Sequence, residues 1–123
     1  MKIEDKKAKL FIDNANLSGS KIHMVNLSGT VFDDINMSKT KFTNICFSDI
    51  EICCAQMGGA YLHNIGLPPE TRGKRKQRPL KFENCELNDS MIKNCNLSNV
   101  KIVKCDISGM KINGILVEKL LKK

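Results

Sequence analysis

An apolar residue returns at every fifth position of this chain. From Leu17 the series runs through Ile22, Leu27, Phe32, Met37, Phe42, Phe47, Ile52, Met57 and Leu62 to Leu67, and it resumes from Phe82 through Leu87, Ile92, Leu97, Ile102 and Ile107 to Ile112. Two residues before each member stands a second series of small or apolar residues, among them Ala15, Val25, Ile35, Ile45 and Ala55, and later Cys85, Cys95 and Cys105. A period of five fits neither the 3.6-residue turn of an α-helix nor the two-residue alternation of a long strand. It requires a chain that turns after each short extended step.

If two of every five residues point inward and the other three make a corner, four steps close a square coil of twenty residues. The next coil then stacks about 4.8 Å above it through backbone hydrogen bonds. No single coil covers its own interior, so stability comes only from stacking several. Each covered central side chain is worth about 1.5 to 3 kcal/mol against exposure, so Leu27→Asp is expected to unfold such a column. Aromatic residues are only 5% of the chain and there is no Trp, so this interior has to be aliphatic.

At Ala15-Asn16-Leu17-Ser18-Gly19 and Val25-Asn26-Leu27-Ser28-Gly29 the chain resembles the pentapeptide-repeat family, whose motif is Ala, then Asp or Asn, then Leu, then two variable residues. The resemblance covers residues 15–67 and 80–114 in 18 units. It implies an all-β fold, a right-handed quadrilateral β-helix of about four to five coils. Cys or Ile often replaces the Ala here, and Ile, Met or Phe often replaces the Leu. The expected organisation is one domain: a cap over 1–14, repeats over 15–67, a loop over 68–79, repeats over 80–114 and a capping helix over 115–123.

A ten-residue alternation overlies the repeat. Ser18, Ser28, Ser38, Ser48, Ser98 and Ser108 follow alternate central residues, a pattern that assigns them to satisfying backbone groups at corners of opposite walls.

Between Leu67 and Leu80 the period fails, and the two residues that would link units become twelve, Pro68 to Pro79. Continuing the coil would put Glu70, Arg72, Arg75 and Gln77 inside, at several kcal/mol for each unpaired ion. The segment is therefore expected to leave the solenoid as a loop, with Leu80 and Phe82 taking the place directly after Ile65 and Leu67. The chain carries a net charge of +7, and residues 70–78 alone carry +4, including all three arginines. Residues 1–10 add +2 and the last six residues add +2, which leaves the body near neutral. Arg72, Lys74, Arg75, Lys76 and Arg78 are the candidate contact residues, because guanidinium and ammonium groups bind carboxylates and phosphates. No aromatic side chain interleaves them, which disfavours base stacking on single-stranded nucleic acid.

Both ends of a solenoid expose unpaired edges and need covers. Leu10-Phe11-Ile12 reads as an entering strand. Residues 117–123 read as a short helix in which Leu116, Leu120 and Leu121 either cap the last coil or pair with a second copy, so the chain is expected to be a monomer or a homodimer joined at that end.

Little else carries chemistry. The six cysteines include no CxxC pair; Cys85, Cys95 and Cys105 fall at inward positions, whereas Cys46, Cys53 and Cys54 fall outward, the adjacent pair being open to oxidants. His23 and His63 lie two coils apart, about 10 Å, too far to share a zinc ion. No cofactor, metal or catalytic group is expected, and the chain does not read as an enzyme. There is no apolar run long enough to cross a membrane and no secretory leader, so a soluble cytoplasmic protein is expected, of bacterial origin by its Lys, Ile and Asn content.

The leading functional expectation is a scaffold that binds another protein, in part through its basic loop. The family resemblance implies a second, binding to DNA gyrase or topoisomerase IV as in quinolone-resistance and immunity proteins. Those imitate duplex DNA with an acidic surface, whereas this body is neutral and its loop basic. A third is nucleic-acid binding by the loop and the lysine-rich ends.

Overall fold

The computed structural model describes residues 1–68, 71 and 75–122. Its backbone repeats the sequence period. Every fifth residue from 14 to 64, and again from 84 to 109, has a positive φ, from +52° at Asn14 to +81° at Gly19. Each therefore reverses the local path of the chain in the left-handed region that Gly and Asn tolerate best.

The corners are of two kinds that alternate. In the first kind the amide two residues before a central position donates to the carbonyl of the preceding central residue: Ser20 N–H to Leu17 O at 3.1 Å, Thr30 to Leu27 at 3.1 Å, Val100 to Leu97 at 3.1 Å and Met110 to Ile107 at 3.0 Å. The third residue of each turn carries the positive φ, for example Gly29 at +74° and Asn99 at +63°, which is the pattern of a type II turn. In the second kind a single left-handed residue, such as Asn44 at +55° or Asn94 at +56°, bends the chain. Each kind recurs every ten residues, half of the expected coil.

The chain divides into two units, Met1–Gly58 and Gly59–Lys123. In the first, the rings of Phe42 and Phe47 meet edge to face with centroids 5.6 Å apart. They are consecutive central residues on either side of the Asn44 corner, so that corner turns both toward the same side, the arrangement a common interior needs.

That interior is not closed. Within either unit no two described residues twelve or more apart in sequence come within 8 Å, Cα to Cα. The central residues are open to solvent, Leu17 at 55% and Ile92 at 70% of their full exposure, as are Cys85, Cys95 and Cys105. The expected burial of the two inward series, and with it the reading of Leu27 as a buried support, is corrected here. The physical reason is the one that makes solenoids cooperative: corners form from local forces, whereas a wall is covered only by the coil above or below it.

The second unit ends in a small ordered module. Strand β1 (Lys111–Ile112) pairs antiparallel with β2 (Ile115–Leu116), Ile112 opposite Ile115, and helix α1 spans Val117–Leu120. Asn113 and Gly114 join the strands with φ of +48° and +80°, and two successive positive values make the type I′ turn that suits a two-residue hairpin. The Val117 amide donates to the Met110 carbonyl at 2.9 Å, and Val117 is the buried residue of the chain among those described, 8% exposed. Ile107, Met110 and Leu116 are half-buried. Two expectations change. Ile112 is a hairpin residue rather than the centre of a last repeat, and the helix, expected to run to 123, spans Val117–Leu120. Leu120 and Leu121, expected with Leu116 either to cap the last coil or to pair with a second copy, are exposed, and Leu116 is half-buried.

Candidate functional site

The loop that interrupts the repeats is placed by the alternation of corners. Asn64, φ +56°, and Asn84, φ +57°, are both left-handed bends and the hydrogen-bonded corners resume at Asp89, φ +63°. A hydrogen-bonded corner belongs between two bends, and that place is taken by residues 68–79. The segment thus replaces one corner, and the order of corners continues across it.

Within the loop, Thr71 turns back on Pro68: its amide donates to the Pro68 carbonyl at 3.0 Å and its hydroxyl donates to the same oxygen at 2.7 Å. The Arg75 amide donates to the Thr71 carbonyl at 3.4 Å. On the returning limb the Gln77 Oε1 lies 4.0 Å from where a Cβ on Gly66 would stand, so the exit of the loop passes close to its entrance. Pro68 lacks an N–H, so its carbonyl is its only backbone hydrogen-bonding group, and that group is used at once.

Of the five basic residues expected to make contacts, Arg75, Lys76 and Arg78 are exposed; Arg72 and Lys74 lie outside the described residues. Just past the loop, Lys81 pairs with Glu83 at 3.0 Å on the surface. This ion pair lies outside the basic cluster and leaves residues 80–83 with no net charge.

The corner side chains answer a question the serines raised. At Ser18, Ser28, Ser38 and Ser98 the backbone amide donates to the Oδ1 of the Asn two residues earlier, at 2.9 to 3.0 Å, and Ser108 does the same to Asp106 at 2.9 Å. The Asn or Asp is the capping group, an Asx turn, and the hydroxyls of Ser98 and Ser108 add a second donor to it at 2.5 and 2.6 Å. These hydrogen bonds hold the Asp106 carboxyl below the usual carboxylate range. The signal was present in sequence as Asn or Asp directly before the central residue.

His63 stacks on Tyr61 with ring centroids 4.3 Å apart, and both residues are exposed. Among the described residues no group of three or more His, Cys, Asp or Glu is arranged to hold a metal ion, and no helix is long and apolar enough to cross a membrane.

Residues 12–49 match the family model for pentapeptide repeats, in eight copies. This stretch is a run of pentapeptide repeats. The positive-φ corners just described recur past residue 49 with the same five-residue spacing, through Gly59 and Asn64 and from Asn84 to Gly109. Pentapeptide repeats imply a β-helix. No curated protein and no solved structure matches the chain.

Proposed function

We propose that this chain is a non-enzymatic cytoplasmic scaffold. Stacked on one another, its pentapeptide repeats, open to solvent in the structure, would form a right-handed quadrilateral β-helix of four to five coils, and the 68–79 segment would offer Arg72, Lys74, Arg75, Lys76 and Arg78 to an acidic surface on a partner protein. The observation that carries this reading is the replacement of one corner by the loop between Asn64 and Asn84. An insertion that keeps the order of corners adds a contact to a repetitive wall without disturbing the coils on either side. Repeat walls offer flat rigid faces and no enclosed cleft, which suits recognition better than catalysis. Concentration of +4 within residues 70–78 gives the loop a charge that the body lacks.

The test compares the intact chain with one whose residues 70–79 are replaced by Gly and Ser, as baits in host lysate. Proteins with acidic patches captured by the first and lost from the second support the reading. An unchanged set removes the loop as the recognition element. Capture of nucleic acid instead, with affinity that falls steeply with salt, would move the chain to the class of nucleic-acid binders.

A further inference from the structure

Asn113 and Gly114 join β1 to β2 with successive positive φ of +48° and +80°, and both are exposed. The type I′ turn they make favours Gly at its second place, where a Cβ would be strained. That demand sets Asn113 apart. The chain has twelve asparagines, and each of the other eleven is followed by a residue with a side chain. The five-residue period causes most of this. An Asn at a left-handed corner precedes an inward residue, as in Asn44-Ile45 and Asn64-Ile65, and a capping Asn precedes a central one, as in Asn16-Leu17 and Asn96-Leu97.

The side chain that follows an Asn shields the backbone amide between the two residues. At Gly114 that shield is absent. A Cβ placed there would meet no atom within 4 Å beyond its chain neighbours, so nothing else crowds this side of the turn.

We propose that Asn113 is a site of spontaneous deamidation and that its isoaspartyl product opens the terminal module. The Gly114 backbone nitrogen attacks Cγ of Asn113, the new N–Cγ bond closes a five-membered succinimide, and the Cγ–Nδ2 bond breaks. Nδ2 leaves as ammonia with the proton of the Gly114 amide. Water then opens the ring. Addition at Cγ gives an aspartate in an ordinary peptide link, and addition at the main-chain carbonyl carbon of residue 113 gives isoaspartate, whose backbone runs through the former side chain. One water is taken up and one ammonia released, with no change of oxidation state.

The two products act differently on the fold. Asp-Gly suits a type I′ turn as Asn-Gly does. Isoaspartate instead adds one carbon to the path between Ile112 and Ile115, which the two-residue turn holds opposite one another. Register in a hairpin is fixed by turn type and loop length, so the pairing of Lys111 with Leu116 is lost as well. Next to that pair the Val117 amide donates to the Met110 carbonyl at 2.9 Å, the hydrogen bond that ties down the buried Val117. Ring opening at 113 thus releases the ordered end of the second unit. None of these steps needs the coils to stack.

The test is incubation of the intact chain at mildly alkaline pH, with peptide mapping that separates aspartyl from isoaspartyl forms and hydrogen exchange of the Val117 amide in each. Asn113 should convert ahead of the other eleven asparagines, with isoaspartate the larger product. Gly114→Ala should lose this lead, even though Ala at φ +80° loosens the hairpin. The isoaspartyl form should lose protection at Val117, whereas Asn113→Asp keeps it. Conversion of Asn113 no faster than the rest, equal conversion in Gly114→Ala, or protection of Val117 retained in the isoaspartyl form would each overturn the proposal.

Discussion

Asp106 Oδ1 accepts two hydrogen bonds from Ser108, one from the backbone amide at 2.9 Å and one from the hydroxyl at 2.6 Å. Asn96 and Ser98 repeat the arrangement ten residues earlier at 2.9 and 2.5 Å, with a neutral acceptor in place of the carboxylate. The corner therefore needs the oxygen rather than the charge. Because the hydrogen bonds lower the folded-state pKa of Asp106, its contribution is complete above the unfolded carboxylate pKa. It is lost as pH falls through the lower folded value. Thermal melts of the wild-type chain and of Asp106→Asn should diverge across that acidic window, the variant losing less stability than the wild type. Parallel pH profiles would show that the carboxylate does not cap its turn.

Met24 takes a left-handed corner, φ +55°, with its side chain exposed. A left-handed conformation costs an ordinary residue roughly 1 to 2 kcal/mol, and Asn less. Met24→Asn should stabilise the chain by about 0.5 to 1 kcal/mol, read as a rise in the urea midpoint at constant slope. A fall in the midpoint would mean that Met24 contributes more through its side chain than its corner costs.

Replacing residues 68–79 by Ser-Gly, the pair that follows Leu17 and Leu27, should restore an ordinary hydrogen-bonded corner between Asn64 and Asn84. The expected variant keeps the circular dichroism and melting temperature of the parent. A collapse of either signal would show that the loop supports the repeats rather than standing on them.

The five-residue period foretold the corners because they are local: Leu17, Leu27, Asn44 and Gly109 each sit where a turn of a few residues decides the geometry. The interruption of the period was equally visible, since Arg72 and Arg75 have no place in an apolar series. At five turns the cap was read onto the wrong side chain, Ser18 instead of Asn16 for one, because hydroxyl and side-chain carbonyl oxygens compete for the same backbone amide and only geometry separates them. At the end of the chain, Asn113-Gly114 is itself a hairpin signal, but Ile112 fits the five-residue period as well, and the stronger pattern masked the shorter one. Covering of Leu27 or Cys85 is different in kind. It depends on residues twenty positions away, and no local preference reports it.

A stacked coil of twenty residues would set Cys85 beside Cys105, with Cys95 on the opposite wall. In the structure each of these thiols donates to the carbonyl two residues before it, at 3.2 to 3.3 Å, so the three share one local geometry. In a variant with Cys46, Cys53 and Cys54 changed to Ser, mild oxidation should link Cys85 to Cys105 and leave Cys95 free, because stacked coils about 4.8 Å apart lie within the span of a disulfide. Peptide mapping that finds Cys85 joined to Cys95 would exclude the twenty-residue coil.

Whether the corners close into stacked coils is read most directly from the radius of gyration of the intact chain by small-angle X-ray scattering. Closure of 123 residues predicts about 14 Å, whereas a value approaching the roughly 36 Å of an unfolded chain of this length would contradict it.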